Sequence, residues 1–194
     1  MAKSNKWIVY TPVVELGYCW LHKPDDKFGD PTYKAEFFLS PEQAKKFAEM
    51  LENDPRAVLD KKKLKLKGNS VDGKVKFRAK QAASISFKDK NTGEVQTSEM
   101  KPKILMLKDG ETIDYEGGYP KAGSTGEFEL EVVPYSGFGG GLGLRLRGVR
   151  LHDVVEGASG ESQAWGEAAF EGEEIVVTEH STDGDDDDDS DRNW

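Results

Sequence analysis

The division of charge along the chain constrains its fold more than any other feature. Residues 156–194 contain fourteen acidic side chains and one basic one, including an unbroken run of five aspartates at 185–189. Residues 1–155 have a net charge of +4, so the overall charge of −9 combines a mildly basic body with a strongly acidic tail. A like-charge block of this density repels itself and cannot bury enough apolar surface to fold. We therefore predict one folded domain over residues 1–155 and a disordered acidic tail over residues 156–194.

The pattern of the body favours strands over helices. Short apolar runs with a period of two are separated by turn residues, and the whole chain has 21 glycines and 8 prolines. Alternate positions 14, 16, 18 and 20 hold Val, Leu, Tyr and Trp, the spacing of residues on one face of a strand. Residues 33–39 predict a second strand. The body is therefore predicted to be mainly β.

One helix is predicted directly after the second strand. Ser40 is suited to the N-cap, Pro41 to the first helical position, and Gln43 completes a capping box with Ser40. Apolar residues at 44, 47, 48 and 51 then form one stripe, and the Asn-Asp-Pro at 53–55 ends the helix. The pattern is typical of a helix that packs against a small sheet.

Cations are concentrated in residues 56–103, where fourteen Lys and Arg are present with five Asp and Glu. Cations occupy the even positions from 74 to 80, apolar residues occupy the odd ones, and the same parity continues to 88. We predict one strand over residues 74–88, with Phe77 and Phe87 in the core. Alternate strand residues are about 6–7 Å apart, close to the phosphate spacing of an extended single strand, so this cationic ridge suits a polyanion. The alternative is a solvated strand face whose lysines protect a sheet edge.

Other charged segments define the predicted limits of the basic surface. Glu127, Glu129 and Glu131 alternate with apolar residues, so this strand should point its acidic face away from a polyanion. The glutamates should thus leave the basic face one-sided. A lysine-rich patch precedes the ridge, and two arginines follow the acidic strand. The residues predicted to contact phosphates are Lys63, Lys65, Lys74, Lys76, Arg78, Lys80, Arg145 and Arg147.

Base stacking is predicted for aromatic residues in loops rather than in strands, because the parity of the strands places their aromatics in the core. A turn-rich connection and a glycine-rich loop supply these residues. Each would add about 1–3 kcal/mol per stacked base. The stacking candidates are Tyr115, Tyr119, Tyr135 and Phe138.

The sequence has no motif typical of catalysis or metal binding. The glycine-rich stretch at 137–143 lacks the G-x-G-x-x-G spacing and leads into a strand, so it does not fit a nucleotide site. Three histidines and a single cysteine, Cys19, are too far apart for an ordinary zinc site. The N-terminus lacks the apolar core of a signal peptide, and no stretch reaches membrane-spanning length. We expect a cytoplasmic protein that is not an enzyme and has no cofactor, metal or internal disulfide.

Several short strands, one capped helix and a basic face together predict a five-stranded OB-type barrel with a single-strand-binding groove. The stretches Thr11-Pro12, Leu16-Gly17-Tyr18, residues 30–39, residues 148–151 and, most sharply, the acidic ending with Trp194 carry a resemblance. The chain resembles the bacteriophage single-stranded-DNA-binding proteins, which have an OB fold and an acidic C-terminal tail ending in an aromatic residue. It departs from that family in having Trp at the end, where Phe is more usual, and in having Arg192 near it.

The resemblance implies a protein that coats single-stranded DNA in replication, recombination and repair. It also implies that the tail recruits a DNA polymerase, helicase or primase of the phage or its host. A second hypothesis is an acidic-tailed protein-binding module or chaperone for a basic partner, with the body as a scaffold. The residues implied in partner binding are Asp185, Asp186, Asp187, Asp188, Asp189, Asp191 and Trp194.

Overall fold

A computed structural model provides the fold and describes residues 6–27, 29–59, 61–89 and 93–157. Residues 158–194, which include all the residues implied in partner binding, lie outside the described residues, so their disorder stays a prediction. Glu156 and Gly157, which the prediction assigns to the tail, form a short strand paired with Tyr119 and Pro120. The helix is α1 (Pro41–Glu52). The strands are β1 (Trp7–Tyr10), β2 (Val14–Asp25), β3 (Thr32–Leu39), β4 (Val58–Leu59), β5 (Lys62–Lys63), β6 (Asn69–Val71), β7 (Lys74–Ala82), β8 (Ser84–Lys88), β9 (Val95–Glu99), β10 (Lys103–Lys108), β11 (Glu111–Asp114), β12 (Tyr119–Pro120), β13 (Thr125–Tyr135), β14 (Gly141–Asp153) and β15 (Glu156–Gly157).

Five of these strands form a closed ring. β2 pairs with β3, β3 with β7, β7 with β14, β14 with β13, and β13 returns to β2. Only the β7–β14 contact in this ring is parallel. β1 extends the sheet beside β13, and β10 and β11 extend it beside β14. This Greek-key ring confirms the prediction of a mainly β, OB-type fold.

The core fills the inside of the ring and the space beneath α1. Phe37 lies at its centre, with ring centroids 5.7 Å from Phe77, 5.2 Å from Phe128 and 6.4 Å from Phe47 of α1. The predicted capping box is present. Ser40 Oγ accepts a hydrogen bond from the Gln43 backbone N–H at 3.3 Å, and the Ser40 N–H donates to Gln43 Oε1 at 3.1 Å. The capped helix is therefore confirmed.

The face alternation along β2 is interrupted by a β-bulge. Leu16 is paired with Phe37 and Cys19 with Ala35, so three steps on β2 match two steps on β3. Both residues therefore face inward although their numbers differ in parity, and Trp20 faces outward. The prediction that positions 14, 16, 18 and 20 share one face is wrong, because the extra residue of the bulge inverts the alternation.

The predicted strand over residues 74–88 is interrupted at Ala83, so that prediction is also wrong. The Ala83 N–H donates to the Pro31 carbonyl, and the Ala83 carbonyl accepts from the Met100 N–H. The chain then leaves the ring, and β8 pairs only with β9 in a separate hairpin. Phe77 is 4% exposed, as predicted, whereas Phe87 is 47% exposed and is not part of the core.

The described residues show few features of reactive chemistry. Burial raises the pKa of the Cys19 thiol to about 12, which keeps it protonated at neutral pH. No three His, Cys, Asp or Glu side chains within the described ranges are grouped so as to hold a metal ion. In that same part of the chain, no helix has the length and apolar character needed to cross a membrane.

Candidate nucleic-acid interface

A row of large side chains crosses the outer surface of the ring. Lys34 on β3 is paired in register with Trp20 on β2 and with Lys80 on β7. Lys80 is in turn paired with Arg145 on β14. Paired residues of neighbouring strands point to the same face, and the strands lie about 4.8 Å apart. One aromatic and three cationic side chains therefore form a row about 14 Å long.

Two further aromatic side chains lie on the same outer surface, one beside the row and one further along β3. The exposed Tyr18 ring contacts Trp20 edge-on, with centroids 6.0 Å apart. The partly exposed Phe38 ring lies over Gly17, where a Cβ atom would be only 2.8 Å from Phe38 Cε2. Glycine at the bulge therefore leaves room for an aromatic ring on the outer surface. We define the basic–aromatic face by the outward-facing residues of β2, β3, β7 and β14: Tyr18, Trp20, Lys34, Phe38, Lys76, Arg78, Lys80 and Arg145.

A buried carboxylate neutralises half of the cationic ridge on β7. Glu36 accepts hydrogen bonds from Arg78 Nε at 3.0 Å and from Lys76 Nζ at 3.3 Å. Its side chain is only 11% exposed. Burial opposes ionisation of this carboxyl group, but the hydrogen bonds and charges of Arg78 and Lys76 outweigh burial and lower the pKa of Glu36. Glu36 therefore stays ionised at neutral pH and holds both cations.

Acidic partners also contact two other cations of the interface, one on β14 and one on β3. Arg145 Nη1 lies 2.7 Å from a Glu131 carboxylate oxygen, and Lys34 Nζ lies 2.6 Å from Asp25. Hydrogen bonds from Lys34 and from the Lys27 backbone N–H lower the pKa of Asp25. The prediction of a one-sided basic face is wrong, because antiparallel pairing of β13 with β14 places Glu131 directly opposite Arg145.

The interface nevertheless keeps a positive balance. Lys74 also belongs to β7 and is paired with Glu15 at 2.5 Å. Together with it, the face has six cations and four carboxylate partners, a net charge of +2. The cations are Lys34, Lys74, Lys76, Arg78, Lys80 and Arg145, and the carboxylates are Glu15, Asp25, Glu36 and Glu131. Lys80 and Arg147 are exposed and have no carboxylate partner among the described residues. They lie where β7 meets β14, so unpaired positive charge is concentrated at this junction.

The lysine-rich patch lies at a different end of the ring. Lys63 Nζ donates to Asn53 Oδ1 at 2.7 Å, and Lys65 is paired with Glu52 at 2.6 Å, so both lysines contact the C-terminal end of α1. The Lys65 carbonyl accepts from the Leu142 N–H, three residues before Arg145 and about 10 Å away along β14. The structure therefore does not bring Lys63 and Lys65 into the row.

Of the aromatics predicted to stack, Tyr115, Tyr119 and Tyr135 lie outside the row that runs from Trp20 to Arg145, and their stacking stays a prediction. Tyr115 and Tyr119 both contact the His22 ring edge-on, with centroid distances of 5.9 and 5.0 Å. Tyr135 is partly exposed and folds against the backbone of Gly141. The side chain of Phe138 lies outside what the structure describes.

Sequence reasoning missed Tyr18, Trp20, Lys34 and Phe38 as parts of an interface. The missed signal is Gly17, because an isolated glycine within a strand pattern often marks a bulge. A bulge at Gly17 would have predicted that the residues after it change face, which turns Trp20 to the outer surface. No comparable signal marks Lys34, since its place in the row depends on which strands become neighbours.

Comparisons with known proteins support the fold. No family profile and no curated protein matches the sequence. The crystal structure of gp2.5, a single-stranded DNA binding protein encoded by bacteriophage T7, is similar with a TM-score of 0.53 and 20% identity, over 87% of this chain and 100% of that one. The single-stranded DNA-binding protein from bacteriophage Enc34, in complex with ssDNA, has a TM-score of 0.47 and 13% identity, over 77% of this chain and 88% of that one. At these identities, the likeness to the T7 protein shows a shared fold.

Proposed function

We propose that the domain binds single-stranded DNA along the basic–aromatic face, without preference for base sequence. The row of Lys34, Lys80 and Arg145 beside the exposed Tyr18 ring carries this proposal. Cations that follow a backbone and aromatic rings that stack on bases are the two elements of sequence-tolerant single-strand binding, because every base has a π-face. Three cations in consecutive register also repel one another, and a phosphate backbone relieves that repulsion.

The shared fold supports the same function. The T7 protein, with which this chain shares its fold, is a single-stranded DNA binding protein encoded by a bacteriophage. On that basis we propose a role in phage DNA replication, recombination and repair. The proposal predicts stronger binding to single strands than to a duplex, since stacking needs unpaired bases.

The acidic tail is proposed to act on the same face. Residues 156–194 have a net charge of −13, opposite to the +2 of the interface. A polyanion attached to the domain competes with DNA at a high effective concentration. When DNA displaces it, the aspartates and Trp194 become available to a DNA polymerase, helicase or primase.

A fluorescence titration tests these proposals. The full chain and a chain truncated after Glu179 are titrated with a single-stranded oligonucleotide and with a duplex of equal length, at several salt concentrations. We expect preference for the single strand, weaker binding at higher salt, and tighter binding by the truncated chain.

Four results would contradict one or other of the proposals. Failure to bind oligo(dT) at low salt, or equal affinity for the duplex, would exclude the single-strand interface. Unchanged affinity after truncation would leave the interface in place and exclude competition by the tail. Loss of a partner-binding activity on truncation, without DNA binding by either chain, would favour the protein-binding hypothesis.

A further inference from the structure

The sheet has a gap where β14 changes partner. β14 is paired with β7 at Arg145 and Lys80, and with β10 from Gly148 and Lys103 onward. Between these two ladders, Leu146 and Arg147 have no strand partner on this side. A cavity of about 250 Å³ opens at this place, between the end of β7, the segment that joins β9 to β10, and β14. We call it the β14 window.

A buried amide forms part of the wall of the β14 window. The Gln81 side chain lines the cavity, and the residue is only 3% exposed. Its Nε2 donates to the Ala82 carbonyl at 3.0 Å, which fixes the orientation of the amide. Its Oε1 is buried and has no hydrogen-bond partner within the described part of the chain. Buried acceptors without a partner are rare, so this oxygen is available to a donor that enters the window.

Charged side chains of both signs surround the opening. Lys101, Lys103 and Arg147 contribute three cations, and Glu99 and Glu129 contribute two carboxylates. The opening therefore has a net charge of +1, which favours a ligand that carries an anionic group. The volume lies below the roughly 300–1,000 Å³ of pockets for drug-sized ligands, so the window has room for one small group.

The window lies next to the basic–aromatic face. Lys80 is paired with Arg145 at the edge of the gap, so the row of cations ends beside the opening. Gln81 follows Lys80, and successive strand residues point to opposite faces, so the Gln81 side chain lies at the inner side of the window. A DNA strand bound along the row passes the opening, and a group of that strand reaches Gln81 by entering the gap. The neutral groups next to a phosphate in DNA are the deoxyribose and its nucleobase, and only the nucleobase carries hydrogen-bond donors.

We propose that the β14 window receives one nucleobase of the bound single strand, with a base N–H donating to Gln81 Oε1. Cations at the rim contact the flanking phosphates. All four bases carry at least one N–H donor on the pairing edge, so the site agrees with sequence-tolerant binding. This inference rests on the proposed single-strand binding, and it adds a specific acceptor to the general stacking and phosphate contacts.

A modified oligonucleotide tests the inference on the unaltered protein. Oligo(dT) and an oligomer of equal length built from N3-methylthymine share phosphates, sugars and stacking faces, but only the first has the N3–H donor. We expect the full chain to bind the methylated oligomer about tenfold more weakly, because a buried acceptor then stays unsatisfied. The variant Gln81→Leu should bind the two oligomers equally, and Gln81→Met is the second variant if leucine prevents folding.

Each outcome separates the window from the proposed function. Equal binding of both oligomers by the full chain overturns the window and leaves single-strand binding intact. A preference for oligo(dT) that persists in the folded Gln81 variant also overturns it, because another residue then accepts the hydrogen bond from the thymine N3–H. Absence of any binding to oligo(dT) overturns the proposed function itself.

A measurement without substitutions guards against loss of folding in the variants. The side-chain amide resonance of Gln81 should shift when oligo(dT) is added to the full chain, and should shift much less with the methylated oligomer. If the chemical shift of the Gln81 side-chain amide stays unchanged when both oligomers bind, a base in the window is excluded.

Discussion

Two halves of the strand β7 carry the same type of residue and differ in what surrounds it. Lys76 and Arg78 share the buried carboxylate of Glu36, whereas Lys80 is exposed and lies between the cations Lys34 and Arg145. Lys76 and Arg78 are neutralised by Glu36, whereas the ammonium group of Lys80 is available to a ligand. Charge alternation along a strand therefore does not measure the charge that a surface offers, because the neighbouring strand decides how much is neutralised.

The difference has a physical cause in the pairing of β3 with β7. Glu36 is opposite Arg78, which stabilises that pair of strands, while Lys34 is opposite Lys80. Like charges directly opposite one another on a sheet are destabilising. Asp25 relieves Lys34 and Glu131 relieves Arg145, but Lys80 has no such partner among the described residues. The junction of β7 with β14 thus gains most from the arrival of a polyanion.

The largest expected effect comes from the exposed Tyr18 ring at the β2 end of the row. Tyr18→Ala removes a stacking surface, and single-strand binding should weaken by about 1–3 kcal/mol. Tyr10→Ala is the matched control, because Tyr10 is 66% exposed, compared with 58% for Tyr18, and lies on β1, outside the basic–aromatic face. Fluorescence titration with oligo(dT) measures both. Equal losses in the two variants would show that the face is not the binding surface.

A single substitution removes the carboxylate partner of Lys76 and Arg78 on β7. Glu36→Gln removes the carboxylate that holds Lys76 and Arg78, so the salt slope of binding, the loss of log affinity per decade of salt, should rise by up to about 1.4. The free energy of unfolding should fall by about 1 kcal/mol at pH 7. A salt slope that stays unchanged would mean that these two cations lie outside the interface.

The same substitution has a pH dependence whose sign follows from the lowered pKa of Glu36. Its contribution to stability is fully present above the pKa of the unfolded chain, about 4.3, and is lost as the pH falls through the lower pKa of the folded state. The stability difference between the native chain and Glu36→Gln should therefore shrink below about pH 4 in urea unfolding. A difference that grows on acidification would contradict the assigned ion pairs.

The smallest effect separates a free lysine from a bound one. Lys80→Ala should lower the salt slope by about 0.7, the contribution of one phosphate contact on a single strand, without loss of stability, since it removes a like-charge pair with Lys34. Lys65→Ala should leave the slope within error, because Lys65 is paired with Glu52 and lies outside the row. A larger loss of salt slope for Lys65→Ala than for Lys80→Ala would instead assign the interface to the lysine-rich patch.

Local patterns were sufficient for some elements and insufficient for others. The capping box at Ser40 and the inward position of Phe77 depend on residues within a few positions of each other, and both were predicted. The outward position of Trp20 depends on one extra residue in β2 relative to β3. The exposure of Phe87 depends on hydrogen bonds of Ala83 to Pro31 and Met100, which are far apart in sequence.

By itself, the sequence determined that the described body is mainly β, that one capped helix follows its second long strand, and that acidic residues are concentrated after residue 155. These properties follow from composition, period and short-range hydrogen bonding. Only the tertiary structure decided which cations are neutralised, which aromatics reach the surface, and that β14 changes partner beside Gln81. The physical reason is that each of these depends on strand neighbours brought together from distant parts of the chain, where one bulge or one carboxylate changes the outcome.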